Sequence, residues 1–288
     1  MLANLTLSWT GFLRPLSVDR DTVFPVNAST PSSPKSPKSS GSARTTKSSK
    51  YTPQKSSSTS TYVLGGLALL VIAAVVIGGV LWQNSRSAPR ADGYGSVQNT
   101  AVTTSVDPSG VVTLGAPGAS RTVDIFEDAM CPYCAELENT YGQELAQKID
   151  DGTVAVRYHM LDFLNRLSPS GDYSTRAVAA SQCIAATGDG PAFSAFHSAL
   201  FSPEFQPEEN GSADHTNAEL ASAAGDAGAS DEAVQCITDG AGVATAATNA
   251  EAGSAALAAA GAQGTPTVIV DGAIVDTTTD TGWVADLG

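Results

Sequence analysis

Histidine is scarce in this chain: His159, His197 and His215 are the only three in 288 residues, and no two share a metal-ligand spacing. Zinc sites draw on several Cys or His ligands at short paired spacings, so no zinc or copper centre is expected. His159 and His197 read instead as satisfied residues of the fold. Positive charge is scarce beyond residue 82, where 7 Lys and Arg face 27 Asp and Glu, a net of −20. That acidity repels phosphate backbones and excludes nucleic acid as a partner; it reads as a solubility feature. No internal repeat is present.

Charge of either sign is missing from Tyr62 to Trp82 (YVLGGLALLVIAAVVIGGVLW), a run of 21 residues. As a helix it would span about 30 Å, the thickness of a bilayer's hydrocarbon core. Its terminal Tyr62 and Trp82 suit the two interfaces. The run starts some sixty residues into the chain and lacks a small-residue cleavage pattern, so a retained transmembrane anchor is expected rather than a cleaved signal. Eight basic residues precede it (Arg14, Arg20, Lys35, Lys38, Arg44, Lys47, Lys50 and Lys55) against Asp19 and Asp21. Basic flanks stay inside, which places the N-terminus in the cytoplasm and the rest outside the cell membrane. Residues 27–60 are Ser, Thr, Pro and Lys with almost nothing apolar, so 1–61 reads as a disordered cytoplasmic tail. Residues 1–26 have no physical account. Residues 83–104 read as a linker and 105–288 as one extracytoplasmic domain.

Four cysteines fall in that exported part. Cys131-Pro132-Tyr133-Cys134 is the most informative stretch, lying between a predicted strand (122–126) and a predicted helix (132–150). A sulfur at a helix start meets unpaired N–H groups and the positive end of the dipole, which stabilise the attacking thiolate. A loop this short gives a structural bridge little entropic value, which favours a redox couple. Cys183 and Cys236 remain. Disulfides persist outside the cytoplasm, so a structural bond between them is the simplest assignment, although two free thiols stay open.

Leu137, Tyr141, Leu145 and Ile149 recur every fourth residue along the predicted helix, which ends at Asp150-Asp151-Gly152. Val106–Leu114 reads as a hairpin turned at Asp107-Pro108-Ser109-Gly110, and 153–160 alternates as a strand. Helices are predicted over 173–187, 191–201, 217–227, 231–239 and 243–260. A hairpin follows, 267–270 and 273–275 across Asp271-Gly272, and 280–287 could close the chain as a helix. Pro266 stands just before the first of these strands, an unusual place for a residue without a ladder donor.

Phe126-Glu127-Asp128-x-x-Cys131-Pro132-Tyr133-Cys134 and Gly264-Thr265-Pro266-Thr267, some 130 residues later, together resemble the membrane-anchored DsbA-like thioredoxin-domain proteins of high-GC Gram-positive bacteria. Arg157-Tyr158-His159, Phe163-Leu164 and Tyr173-Ser174-Thr175-Arg176-Ala177 are similar to that family too. The resemblance covers about 105–288. It implies an α/β thioredoxin fold carrying an α-helical insertion, at about 172–262.

It also implies the roles at the site. Cys131 would be the partly exposed attacking thiolate, Cys134 its buried partner, and Pro266 a cis-proline packed against them, with the Thr265 backbone pairing with a client strand. Pro132 and Tyr133 tune the couple. Tyr133 brings no cation where stronger oxidants of the family have His, so a milder oxidant is expected. The acid that many members carry six residues before the first cysteine is Ile125 here, and Glu127 is the substitute proton-transfer group; as plain residues, Glu127 and Asp128 would be loop carboxylates.

CPYC is also the common glutaredoxin motif, though an exported domain with a helical insertion argues against that family. The expected activity is donation of disulfides to reduced exported client proteins, with no prosthetic group and with recycling by a quinone-linked membrane partner. A reductase or isomerase kept reduced, and a non-catalytic peptide-binding or sensory module, are the alternatives.

Overall fold

The computed structural model describes residues 68, 69, 71–79 and 90–288. The readings made on 1–61 lie outside these residues. Of the apolar run, 68, 69 and 71–79 are helical, and Leu69, Val71, Ile72, Val75, Val76 and Ile77 are all exposed. Among the described residues, no helix is long and apolar enough to cross a membrane.

Strand β3 (Arg121–Asp128) lies inside the sheet, and Val123 and Ile125 are wholly buried. Its apolar centre pairs on one side with β4 (Val154–Leu161), in parallel from Arg121↔Val154 to Asp128↔Leu161. On its other side runs β5 (Thr267–Val270), antiparallel with Phe126 opposite Thr267. With β1 (Thr103–Val106), β2 (Val112–Gly115) and β6 (Ala273–Val275), the sheet reads β1-β2-β4-β3-β5-β6, mixed in direction. At the β5–β6 turn both Asp271 and Gly272 have positive φ (52° and 81°), the geometry that a two-residue hairpin matched to strand twist requires.

Helix α1 (Pro132–Asp150) is the crossover from β3 to β4. Its stripe of Leu137, Tyr141, Leu145 and Ile149 is buried, and Gly152 closes the turn at φ 74°. The helical insertion comprises α2 (Tyr173–Ala185), α3 (Gly190–Leu200), α4 (Asn217–Asp226), α5 (Asp231–Asp239) and α6 (Val243–Ala259). The starts of α3, α4 and α5 are written in the sequence as caps. Asp189 accepts from Ala192 N at 3.0 Å. Thr216 and Glu219 form a reciprocal capping box, and Ser230 caps α5. Cys183 on α2 and Cys236 on α5 are joined by a disulfide.

Two regions differ from the sequence reading. The stretch read as a linker is partly inside the fold. Val97 and Val102 are 2% and 1% exposed, Tyr94 Oη donates to Asp150 at 2.8 Å, and Gln98 and Asn99 N–H groups donate to the same carboxylate at 2.9 and 3.0 Å. Two valines and an acceptor fifty residues away hold a strap that looks merely polar along the chain. The predicted closing helix at 280–287 is a series of turns with one 3₁₀ turn at Ala285–Leu287. There Asp276 accepts from Thr278 and Asp280 accepts from Gly282 N, local bonds that compete with a helix. Trp283, Val284 and Leu287 are nevertheless buried.

Candidate active site

β3 ends and α1 begins at the dithiol. Cys131 is the N-cap of α1 with extended backbone (φ −75°, ψ 118°), and Pro132 occupies the first turn, where its missing N–H costs nothing. The Cys131 N–H donates to Asp128 O at 2.9 Å, while its carbonyl accepts from Cys134 N at 3.1 Å and Ala135 N at 3.2 Å. Cys131 is 5% exposed, Cys134 is fully buried, both are free thiols, and Tyr133 between them is 68% exposed.

The strand register brings the second motif alongside. Because Thr267 lies opposite Phe126, the residues before β5 sit at the level where β3 passes into the dithiol loop. The Thr265–Pro266 peptide bond is cis, and Thr267 Oγ1 donates to Gly264 O at 2.7 Å, closing the turn around it. Cys131 Sγ lies 3.5 Å from Thr265 O and donates to it as a thiol.

These surroundings separate the two sulfurs. Cys131 is lowered from 9.0 to about 6, first by the hydrogen bond from the Cys134 thiol; burial opposes this, and the Thr265 side chain with the Cys134 and Tyr133 N–H groups adds to it. The Thr265 hydroxyl is buried and has no partner in the neutral site, so it is free to donate to the thiolate. Cys134 is pushed well above its ordinary value, first by burial, then by the bond to Cys131 and the charge of Glu127. Cys131 is not partly exposed, as the resemblance implies, but buried, with Tyr133 the exposed residue beside it. A thiolate beside a buried, protonated thiol is the arrangement thiol–disulfide exchange uses.

Glu127 and Asp128 are not loop carboxylates. They are the last residues of β3, and both are wholly buried. Asp128 ties the site together, accepting from Met130 N at 3.0 Å, Leu164 N at 3.0 Å and Ser174 Oγ at 2.7 Å. Burial raises it to about 6 against those three bonds. Glu127 is raised to about 8, chiefly by burial and by the nearby charge of Glu138.

His159 is paired, with Nε2 2.7 Å from Asp124 Oδ1. His197 Nε2 lies 3.2 Å from Glu127 Oε2 and 3.6 Å from Glu138 Oε1. Against burial, which lowers it, these two carboxylates raise His197 to about 10, although neither ring nitrogen makes a hydrogen bond. Gln206, unmarked in the sequence, donates to Ala129 O at 3.1 Å and Cys131 O at 3.0 Å, bracing the loop from 75 residues away.

A thioredoxin family model matches residues 107–285. MdbA, a thiol-disulfide oxidoreductase from Corynebacterium diphtheriae, is similar with TM-score 0.58 and 28% identity, over 69% of this chain and all of that one. Reduced DsbG from Mycobacterium tuberculosis is similar with TM-score 0.52 and 31% identity, over 63% of this chain and 88% of that one. Reduced DsbA from M. tuberculosis has TM-score 0.50 and 32% identity, over 60% and 85% respectively. Serine/threonine-protein kinase PknE of M. tuberculosis is 40% identical over 176 residues, 61% of this chain; the chain spans 31% of the length of that relative. With its dithiol, its mixed sheet and the family match over 107–285, the chain belongs to the thioredoxin family, and it is similar within that family to the DsbA-like thiol-disulfide oxidoreductases.

Proposed function

We propose that the chain donates disulfides to exported proteins from a membrane-tethered, extracytoplasmic position. The observation that carries this is the depressed Cys131 beside a protonated Cys134. In the oxidised enzyme a client thiolate attacks Cys131 Sγ, the Cys131–Cys134 bond breaks, and Cys134 leaves with the electron pair and takes a proton. A second client thiolate then attacks the client sulfur of the mixed disulfide and expels Cys131 as a thiolate. The client loses two electrons and the enzyme gains them as a dithiol. A sulfur ionised near pH 6 is a good leaving group at pH 7, which favours that direction. A quinone-linked membrane partner would return the dithiol to the disulfide.

Pro266 and the Thr265 backbone would hold the client strand against Cys131, Pro132 and Tyr133 would set the poise, and Glu127 would modulate Cys134 through its charge. The cytoplasmic tail, the span at 62–82 and the positive-inside bias support the tethering. The test is direct: the oxidised full chain, mixed with a reduced unfolded model protein, should yield native disulfides, and Cys131→Ser should not. Protease added outside intact cells should remove the domain and spare the tail. Failure of the oxidised chain to transfer its disulfide would refute the proposal.

The kinase relatives favour a second reading, a sensory module using the same fold. It requires peptide binding to persist in Cys131→Ser and no catalytic turnover in the parent.

A further inference from the structure

Behind Cys134 three side chains that the sequence separates come together: Glu127 from the end of β3, Glu138 from α1 and His197 from α3. Their ligand atoms all lie within 4.8 Å of one another, and all three residues are buried. We propose that Glu127, Glu138 and His197 form a binding site for a divalent transition cation of the zinc class.

The distances fit. Metal–ligand bonds of about 2.0–2.2 Å imply tetrahedral edges of about 3.3–3.6 Å between donors. His197 Nε2 stands 3.2 Å from Glu127 Oε2 and 3.6 Å from Glu138 Oε1. Both approaches are ion pairs without hydrogen-bond geometry: Glu127 Oε1 and Oε2, Glu138 Oε1 and His197 Nε2 are all buried without a hydrogen-bond partner. Buried polar atoms are ordinarily satisfied by hydrogen bonds, and three such atoms, one from each residue and within 4.8 Å of one another, can share a common ligand. One imidazole and two carboxylates are a donor set that zinc accepts.

Apart from the His197 ring itself, the described surroundings supply no cation. Among the described residues neither carboxylate forms an ion pair with lysine or arginine. His197 is walled by Tyr158, Phe193 and Phe201, with ring centroids 4.2, 5.8 and 5.0 Å away. With both carboxylates ionised on binding, their two charges would match one divalent ion. Glu138 also lines a cavity of about 280 Å³ with Gly95, Ser96, Asn139 and Gln143. Gly142 gives its carboxylate space: a Cβ there would meet Glu138 Oε2 at 3.0 Å. The site does not depend on the direction in which the dithiol works, although a cation would cancel the Glu127 charge that opposes ionisation of Cys134.

The test uses the full chain carrying Cys131→Ser and Cys134→Ser, so that the dithiol cannot chelate, with Cys183–Cys236 oxidised. Equilibrium dialysis against zinc should show one tight equivalent per chain. Adding Glu138→Gln or His197→Gln should weaken it at least tenfold. Cobalt(II) should give the intense visible bands of a tetrahedral centre in the parent, and Gly142→Ala, which crowds the ligand without removing it, should weaken binding less. No bound zinc, an unchanged affinity in both ligand variants (an adventitious ion only), or octahedral cobalt bands would each overturn the proposal. Should a ligand variant fail to fold, the parent's cobalt bands and Gly142→Ala decide.

Discussion

Replacing Cys134 with alanine should strip Cys131 of its strongest stabilising contact while leaving the loop intact. The Cys134 thiol is the first cause of the drop at Cys131 from 9.0 to about 6, ahead of the Thr265 side chain and the two backbone N–H groups. A hydrogen bond to a charged group is worth about 1.5–3 kcal/mol, and each pH unit corresponds to about 1.4 kcal/mol, so the ionisation midpoint should rise by roughly one to two pH units. At pH 6 about half of Cys131 is ionised in the parent, and about 1–9% should be ionised in the variant. The rate of alkylation by iodoacetamide, followed by mass spectrometry across pH 4–9, reads this directly, because Cys183 and Cys236 are bonded and do not compete. The expected outcome is a 5- to 50-fold slower reaction at pH 6 and convergence above pH 9. A midpoint that stays near 6 would refute the assignment and put the stabilisation in the helix start alone.

Ionisation of Cys131 also links to stability. A thiol whose folded value lies below its unfolded one adds stability to the reduced protein that is complete above pH 9 and lost as the pH falls through 6. At pH 7 the gain is about 1.4 kcal/mol before solvent screening, so the melting-temperature advantage of the reduced parent over Cys131→Ser should grow from pH 5 to pH 8; a constant difference would contradict it. Asp128→Ala should orphan the Met130 and Leu164 N–H groups and the Ser174 hydroxyl, costing about 3 kcal/mol in denaturant unfolding; a loss below 1 kcal/mol would show that they find other partners. Removing both Cys183 and Cys236 as serines opens a loop of 53 residues and should cost about 4 kcal/mol on the chain-entropy estimate, measured by the urea midpoint.

What could be read along the chain was local. The dithiol at a strand-to-helix junction, the caps at Asp189, Thr216 and Ser230, the α1 stripe and the Asp271-Gly272 turn all announce themselves within a few residues. What could not be read depends on register and on partners far away. Glu127 looks like a loop acid because the strand seems to end at Phe126; pairing with β4 carries it two residues further, inside the protein. Asp128 meets Leu164 and Ser174, and Gln206 braces Ala129 and Cys131, with no pattern linking those positions in sequence. Spacing argued against a metal set, yet the fold gathers Glu127, Glu138 and His197 from three elements. The strap at 90–102 was invisible for the same reason, since only its docking against Asp150 and Ser194 distinguishes it from a polar tether.

The central claim is that the Cys131–Cys134 couple is poised to oxidise. Equilibration of the full chain with glutathione buffers at pH 7, with thiols trapped by alkylation and counted by mass, gives its reduction potential. Thioredoxin lies at about −270 mV and the strongest DsbA oxidants at about −120 mV. A thiolate stabilised at Cys131 without a cation at Tyr133 places this couple between the two. A value at or below that of thioredoxin would make it a reductant and contradict the account.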